Sequence, residues 1–248
     1  MSVQFEELRG KIENKKSKIC VIGLGQVGLP TALSFANSGF SVTGVDTDEE
    51  LVNKVNNGIP PFEEENLQEI LENSQKNKRF HATTKIEEAI QNSNVIIVCV
   101  ATPITEDVRP DMTHLKIVCD SLANYNLNEK LILIESSLPP GTFEGLILPS
   151  IQKSAQIYWS CYVPERLVPG HAFNEIKVAP RLIGELNTES GLLAKELYKT
   201  IVNVEIVLTT FRVAEISKLV ENTYRDVNIA LANEIGIICE KYGIDFNE

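Results

Sequence analysis

A glycine-rich segment near the start of the chain has the residue types and spacing that bind a dinucleotide. Gly23, Gly25 and Gly28 follow the apolar run Ile19–Ile22 and precede a helix-like stretch. In such a segment the first glycine permits a tight turn, and the second lets a pyrophosphate approach the backbone. The third allows the helix to pack closely on the strand. The segment therefore predicts a phosphate-binding turn.

The chemistry around this turn indicates NAD as the cofactor. Gln26 and Val27 lie where the helix begins, and unpaired N–H groups at a helix N-terminus bind phosphates. Asp46 ends the next apolar run, Val42–Val45, where a carboxylate accepts hydrogen bonds from the adenosine ribose. The acidic residues at 48–50 would repel the 2′-phosphate of NADP. The alternative for Asp46, a solvated turn residue, does not account for the strand, glycines and helix that precede it.

Further candidate residues follow later apolar runs. Val100–Pro103, Ser136–Gly141 and Val163–Arg166 each come directly after a predicted strand. In doubly wound sheets, ligands bind beyond the carboxyl ends of the strands. These three segments are therefore expected to border the ligand site.

The last part of the chain reads as one long amphipathic helix over Arg212–Tyr242. Apolar residues recur there at intervals of three or four, and the segment contains no proline. Lys218, Asn222 and Arg225 are four and three residues apart, so they share a polar face. The pattern alone leaves open whether that face is functional or simply solvated.

These residues need a frame of alternating strands and helices. We predict strands at Lys18–Ile22, Ser41–Val45, Val95–Val100, Leu131–Glu135, Ile157–Val163, Leu182–Ile183 and Val204–Leu208. We predict helices at Leu29–Ser38, Glu49–Asn56, Asn66–Asn73, Lys85–Gln91, Thr113–Ala123, Phe143–Gln152 and Glu189–Thr200. Alternation with continuously apolar strands is typical of an α/β fold with a doubly wound, mostly parallel Rossmann sheet. The expected domains are a polar N-terminal extension (1–16), an NAD-binding domain (17–209) and the start of a central helical domain (210–248).

Composition narrows the function classes. The chain has 248 residues, 43% of them hydrophobic, and a formal net charge of −11. That charge argues against a nucleic-acid or anionic-membrane surface. There is no apolar stretch of the roughly 18 residues that a membrane span needs, and no apolar signal core at the start. We therefore expect a cytoplasmic protein without nucleic-acid or membrane partners.

Cysteine and histidine residues do not suggest a metal site. The five cysteines are scattered without a Cys-x-x-Cys pair, and the three histidines lie far apart in the sequence. We expect reduced cysteines that serve in packing, and no bound metal.

Six segments together resemble the UDP-glucose/GDP-mannose dehydrogenase family, in family order and at family-like spacing. They are Ile22–Pro30, Asn57–Phe62, Val100–Pro103, Ser136–Gly141, Pro164–Gly170 and Ala214–Asn222. The resemblance runs from about Lys18 to the end of the chain. The variant Pro-Glu-Arg-x-x-Pro-Gly is most similar to the branch that acts on UDP-N-acetylhexosamines such as UDP-N-acetylmannosamine.

The resemblance implies an enzyme for polysaccharide precursors that oxidises the C6 alcohol of a UDP-sugar to a carboxylate while two NAD⁺ are reduced. Lys218 would donate to the C6 oxygen and stabilise its negative charge, and Asn222 would hydrogen-bond the same oxygen. Glu165 would activate the water that hydrolyses a thioester intermediate, and Ser137 would position that water. For Glu165 a solvated loop residue, and for Ser137 a backbone-capping turn hydroxyl, remain the alternatives.

The resemblance also assigns binding residues. Thr102, Pro103 and Ser137 would contact the cofactor. Arg166, Leu167 and Arg225 would contact the substrate together with Glu165, Lys218 and Asn222. The family's central helix pairs two subunits, so a homodimer through Arg212–Tyr242 is expected.

Two departures from the family pattern matter. Pro169 occupies the position of a second glutamate found in the glucose branch. The family's nucleophilic cysteine lies in a glycine-rich loop further along than this sequence extends. A thiolate is needed to carry the aldehyde as a thioester. We therefore expect this chain to be the N-terminal portion of a longer enzyme and to be inactive alone.

The sequence leaves two other function classes open. One is a 3-hydroxyacid or 6-phosphogluconate type of dehydrogenase, which also places a lysine and an asparagine on the helix after its sheet. The other is a non-catalytic NAD-binding module.

Overall fold

A computed structural model describes residues 1–168 and 170–246. Its strands are β1 Lys18–Ile22, β2 Ser41–Val45, β3 Phe80–Thr83, β4 Val95–Val98, β5 Lys130–Ile134, β6 Tyr158–Tyr162, β7 Arg181–Glu185 and β8 Ile206–Thr210. They form one sheet in the order β3-β2-β1-β4-β5-β6-β7-β8. All neighbouring pairs are parallel except β6 and β7, which are antiparallel. The predicted doubly wound, mostly parallel sheet is confirmed.

Helices connect the strands and cover the sheet. They are α1 Val3–Glu13, α2 Gly28–Ser38, α3 Glu49–Asn56, α4 Leu67–Lys76, α5 Ile86–Gln91, α6 Thr113–Asn124, α7 Leu148–Gln152, α8 Ala172–Val178, α9 Thr188–Tyr198 and α10 Phe211–Tyr242. A π-helical segment, Phe143–Ile147, continues directly into α7. The predicted helix Phe143–Gln152 is therefore present, but its first half is π-helical rather than α-helical. Two clusters of buried apolar side chains make up the core. Among the described residues, no helix is both long and apolar enough to cross a bilayer.

The N-terminal segment differs from the expected polar extension. Residues 3–13 form α1, whose Phe5, Leu8 and Ile12 are buried. Phe5 packs edge-on against Trp159, with ring centroids 6.5 Å apart. The many charged residues of this segment obscured its apolar pattern, in which three apolar residues recur at the helical period. The extension is therefore packed onto the domain, whereas the other domain boundaries remain predictions.

Strand β3 and helix α8 were not predicted. Phe80–Thr83 is only four residues long and contains an exposed histidine, so its apolar pattern is weak. It nevertheless pairs with β2 and forms the sheet edge. The start of α8 is fixed by Glu64, whose carboxylate accepts hydrogen bonds from the backbone of Gly170 and Ala172. Such distant capping is not visible in the local sequence.

The reversal of β7 determines where α10 lies. Because β7 and the parallel β8 run opposite to β1–β6, the last residues of β7 and β8, Glu185 and Thr210, lie level with Cys161 near the carboxyl end of β6. Helix α10 starts there with Thr210 as its N-cap and packs along β7. At a rise of about 1.5 Å per residue, it climbs toward the carboxyl edge. The first two turns of α10 therefore bring Glu215 and Lys218 to the ligand edge of the sheet.

Candidate active site

The glycine turn forms a cradle with room for a ligand at its centre. A Cβ on Gly23 would lie 2.8 Å from the backbone oxygen of Cys99, and one on Gly28 would lie 1.8 Å from the oxygen of Gly23. A Cβ on Gly25 would meet nothing within 4 Å. The outer two glycines therefore allow close packing, whereas the middle one faces open space. This is the geometry that a bound pyrophosphate requires.

Asp46 is fixed beside this turn. One carboxylate oxygen accepts a hydrogen bond from the backbone N–H of Leu24 at 2.7 Å. The other accepts from the N–H of Asp48 at 3.1 Å. Asp46 thus stabilises the turn itself, and it also lines the cavity described next.

A cavity of about 950 Å³ joins the turn to the later loops. Of the predicted site residues, those that line it are Gly23, Gly25, Gln26, Val27, Asp46, Thr102, Pro103, Ser137, Glu165, Leu167, Lys218 and Asn222. The fold thus brings the candidate cofactor residues and the candidate chemical residues to one space. Their individual roles remain predictions.

Three predicted residues lie outside the lining of this cavity. Gly28 packs against Gly23. Arg166 forms an ion pair with Glu221 at 2.8 Å, which ties its loop to α10. Arg225 donates to the side-chain oxygen of Asn222 at 3.2 Å. Substrate contact by Arg166 and Arg225 stays a prediction. Pro169 lies outside the described residues.

Other lining residues were not predicted from the sequence. Thr84 and Ile86 follow β3, the strand that was not predicted. His114, Ile117 and Ser121 lie on one face of α6, at intervals of three and four residues. That periodicity was available in the sequence, but nothing indicated that this face borders a ligand cavity.

Lys218 is enclosed by the protein rather than solvated. It is 8% exposed although it lies on a helix whose later turns are largely exposed. Burial lowers the pKa of Lys218, whereas the nearby carboxylates Glu221 and Glu165 oppose that change. The alternative that the polar face of α10 is simply solvated therefore does not hold for Lys218.

Glu165 is also enclosed. Its side chain is 4% exposed, and one carboxylate oxygen accepts from the backbone N–H of Arg166 at 2.7 Å. The other oxygen pairs with the guanidinium of Arg181, the first residue of β7. The alternative of a solvated loop residue is therefore wrong for Glu165.

The Ser137 loop is held from two sides. The hydroxyl of Thr102 donates to the backbone oxygen of Ser137 at 2.8 Å. Glu215, which is fully buried on α10, accepts from the backbone N–H groups of Gly141 and Phe143 at 2.7 and 2.9 Å. Helix α10 therefore supports the loop and also carries Lys218 one turn further along.

The cysteines are mostly buried, and the described residues form no metal-binding group. Cys20, Cys99, Cys119 and Cys161 are buried and unpaired, and Cys239 is partly exposed. Burial raises the pKa of Cys119 to about 11 and that of Cys20 to about 12. Within residues 1–168 and 170–246, no group of three or more His, Cys, Asp or Glu side chains is arranged to hold a metal ion.

Comparison with known proteins agrees with this geometry. Residues 17–202 match the UDP-glucose/GDP-mannose dehydrogenase family, NAD binding domain, and residues 212–248 match the family's central domain. UDP-N-acetyl-D-mannosamine dehydrogenase of Pyrococcus horikoshii is 37% identical over 236 residues, which cover 93% of this chain and 56% of the relative. The chain spans about half the length of the curated relatives it matches.

Solved structures show the same likeness. The structure of the Pyrococcus horikoshii enzyme has a TM-score of 0.85 at 36% identity, over 93% of this chain and 56% of that chain. A ternary complex of GDP-mannose dehydrogenase from Pseudomonas aeruginosa has a TM-score of 0.86 at 27% identity, over 92% and 54%. The chain belongs to the UDP-glucose/GDP-mannose dehydrogenase family and carries its NAD-binding domain.

Proposed function

We propose that this chain supplies the NAD-binding and alcohol-activating half of a nucleotide-sugar 6-dehydrogenase. The observation that carries the proposal is the shared cavity, which Gly25 and Asp46 line together with Lys218, Asn222 and Glu165. The sugar alcohol, two NAD⁺ and one water would give the carboxylate, two NADH and three protons. Bound NAD⁺ supplies the hydride acceptor for this chemistry.

Within this scheme Lys218 and Asn222 act on the C6 oxygen. A side-chain ammonium and an amide donor at that oxygen stabilise negative charge as the hydride leaves, an effect worth about 3 kcal/mol per donor. The hydrogen bond from Arg225 occupies the side-chain oxygen of Asn222, so its NH₂ group is left to donate. Glu165 then accepts a proton from the water that releases the product.

We propose a UDP-N-acetylhexosamine, such as UDP-N-acetylmannosamine, as the substrate. Support comes from the Pro164–Val168 loop and from the named activity of the relatives, which include the Pyrococcus horikoshii enzyme. The full-length enzyme should reduce two NAD⁺ per UDP-N-acetylmannosamine and act more slowly on UDP-glucose and GDP-mannose. Comparable rates on all three sugars would contradict this choice.

The roles are tested by single substitutions in the full-length enzyme. Lys218→Ala should lower kcat much more than it raises KM, because its interaction strengthens toward the transition state. Asn222→Ala should lower kcat by roughly 10²-fold. Glu165→Gln should allow the first hydride transfer but accumulate a thioester. Normal turnover in all three variants would rule out the mechanism.

The nucleophile sets a further expectation. The family resemblance places that cysteine outside this sequence, so the 248-residue chain should bind NAD without oxidising a UDP-sugar. Two NADH per UDP-hexosamine from this chain would instead assign the nucleophile to one of its own five cysteines. The control is the full-length enzyme at the same concentration.

We also propose that α10 pairs two copies of the protein in the cytoplasm. Val220, Val227 and Leu231 are seven and four residues apart, so they lie on one face of the helix. Each of these side chains is more than half exposed. Apolar faces of this kind commonly form subunit interfaces. Sedimentation of the full-length enzyme should show a dimer that Val227→Lys dissociates. A monomer at tens of micromolar would contradict the proposal.

A further inference from the structure

Arg181 reaches the candidate site because β7 reverses direction. Opposite β6, Glu185 pairs with Cys161 and Gly184 pairs with Tyr162. Continuing this antiparallel register past the end of β6 places Arg181 level with Glu165. A parallel β7 would have put its first residue at the other edge of the sheet. The antiparallel direction of β7 therefore places the Arg181 guanidinium beside the loop that carries Glu165.

The guanidinium of Arg181 lies between two buried carboxylates. It pairs directly with Glu165, and its Nη1 atom lies 3.8 Å from Oε1 of Glu135. The exposed side-chain fractions are 4% for Arg181, 4% for Glu165 and 0% for Glu135. Removing one member would leave a buried charge without its partner, which is strongly unfavourable. The three side chains therefore form one charged unit.

Neutral donors fix the far end of this unit. The hydroxyl of Tyr198 donates to Oε1 of Glu135 at 2.5 Å. The hydroxyl of Thr31 and the thiol of Cys99 both donate to Oε2 at 3.2 Å. The Tyr198 ring also lies under the guanidinium, with Cζ of Arg181 5.0 Å from the ring centroid. Donors from α2, from α9 and from Cys99, which directly follows β4, thus hold Glu135, and Glu135 faces Arg181.

We propose that Arg181 is the positioning residue for Glu165, and that Glu135 and Tyr198 hold Arg181 in place from the opposite side. The inference rests on the proposed function, in which Glu165 activates water. Arg181 and the N–H of Arg166 each occupy one carboxylate oxygen of Glu165. Each carboxylate oxygen accepts two hydrogen bonds, so one acceptor position per oxygen is left for water. The orientation of that position follows from the fixed guanidinium.

The first test compares Arg181→Met with Arg181→Lys in the full-length enzyme. Arg181→Met should lower kcat by about 10²-fold, the cost of misplacing a reacting group by about 1 Å, with KM for the sugar nearly unchanged. Arg181→Lys should restore part of that loss because it keeps the charge without the planar fork. Ser160→Ala is the matched control, since Ser160 is fully buried on β6 but contacts Ile132 rather than this unit.

A double substitution separates positioning from general destabilisation. Because Glu135 is proposed to act through Arg181, Glu135→Gln as a single substitution should lower kcat but should cause no further loss when added to Arg181→Met.

In the 248-residue chain, ¹⁵N spectra should show a slowly exchanging Arg181 guanidinium whose signals shift in Glu165→Gln. NAD affinity should change less than about twofold in Arg181→Met, a gap of about 0.4 kcal/mol.

The outcomes distinguish this inference from the function on which it rests. If Glu165→Gln is impaired while Arg181→Met and Arg181→Lys turn over normally, the positioning role is wrong and the dehydrogenase proposal stands. If Glu165→Gln also turns over normally, both fail. If Arg181→Met does not fold, Tyr198→Phe and Glu135→Gln decide, because unchanged kcat in both would overturn the proposal. Additive losses in the double variant would overturn it as well.

Discussion

Gly184 and Phe211 touch so closely that no side chain fits between β7 and α10. A Cβ on Gly184 would lie 2.4 Å from the Cα of Phe211 and 2.9 Å from its nitrogen. Both obstructing atoms belong to the backbone, so they cannot rotate away. The contact sets the distance of α10 from the sheet, and with it the positions of Lys218 and Asn222.

Gly184→Ala should therefore push α10 outward. We expect a loss of about 1–3 kcal/mol in the free energy of unfolding, the usual effect of overpacking. Urea denaturation of the 248-residue chain measures it. Gly10→Ala is the control, because a Cβ there meets nothing within 4 Å, and alanine favours the helical conformation of α1. Equal stability of both variants would show that this contact is not restrictive.

The cofactor preference can be tested at Asp46. We expect NADP to bind at least tenfold more weakly than NAD, a gap of about 1.4 kcal/mol. Asp46→Asn retains an acceptor for the Leu24 N–H but removes the charge that repels a 2′-phosphate, so it should narrow the gap. Calorimetry provides both affinities, with Asp120→Asn, at an exposed position on α6, as the control. Equal affinities in the unmodified chain would defeat the assignment.

Glu215 should couple α10 to the Ser137 loop. Glu215→Ala leaves the N–H groups of Gly141 and Phe143 without their buried acceptor, at a cost of about 1–3 kcal/mol per unsatisfied group. The released loop should also weaken NAD binding, since Ser137 lines the cavity. Thermal unfolding and calorimetry measure the two effects. Asp226→Ala, a change at an exposed acid on the same helix and away from the face that carries Val220 and Val227, should alter neither, and a similar lack of effect in Glu215→Ala would disprove the coupling.

Cysteine reactivity should follow burial. At mildly alkaline pH, an alkylating reagent should modify Cys239 first, because it is partly exposed. Cys20 and Cys119 should stay unmodified, since burial both blocks access and raises their pKa to about 12 and about 11, so little thiolate forms below those values. Mass spectrometry should show one adduct on the folded chain and five after denaturation. Rapid addition of several adducts to the folded chain would contradict the buried positions.

The sequence predicted much of the frame because the relevant signals are local. The bounds of β1, β2 and α3 were predicted without error, since apolar runs and polar caps define them within a few residues. The glycine turn with Asp46 predicted the cofactor, and the family match confirms NAD. The spacing of Lys218 and Asn222 correctly placed both residues on one face of α10.

The tertiary structure alone decided what surrounds those residues. Arg181 reads as an ordinary residue at the start of a short apolar strand, and only the antiparallel pairing with β6 brings it to Glu165. Glu215 and Glu64 look like surface acids, yet each accepts hydrogen bonds from backbone groups more than seventy residues away in the sequence. Local periodicity reports which face of an element is apolar. Strand direction and long-range polar contacts depend on how the whole chain packs, because a buried polar group is stable only where a distant partner meets it.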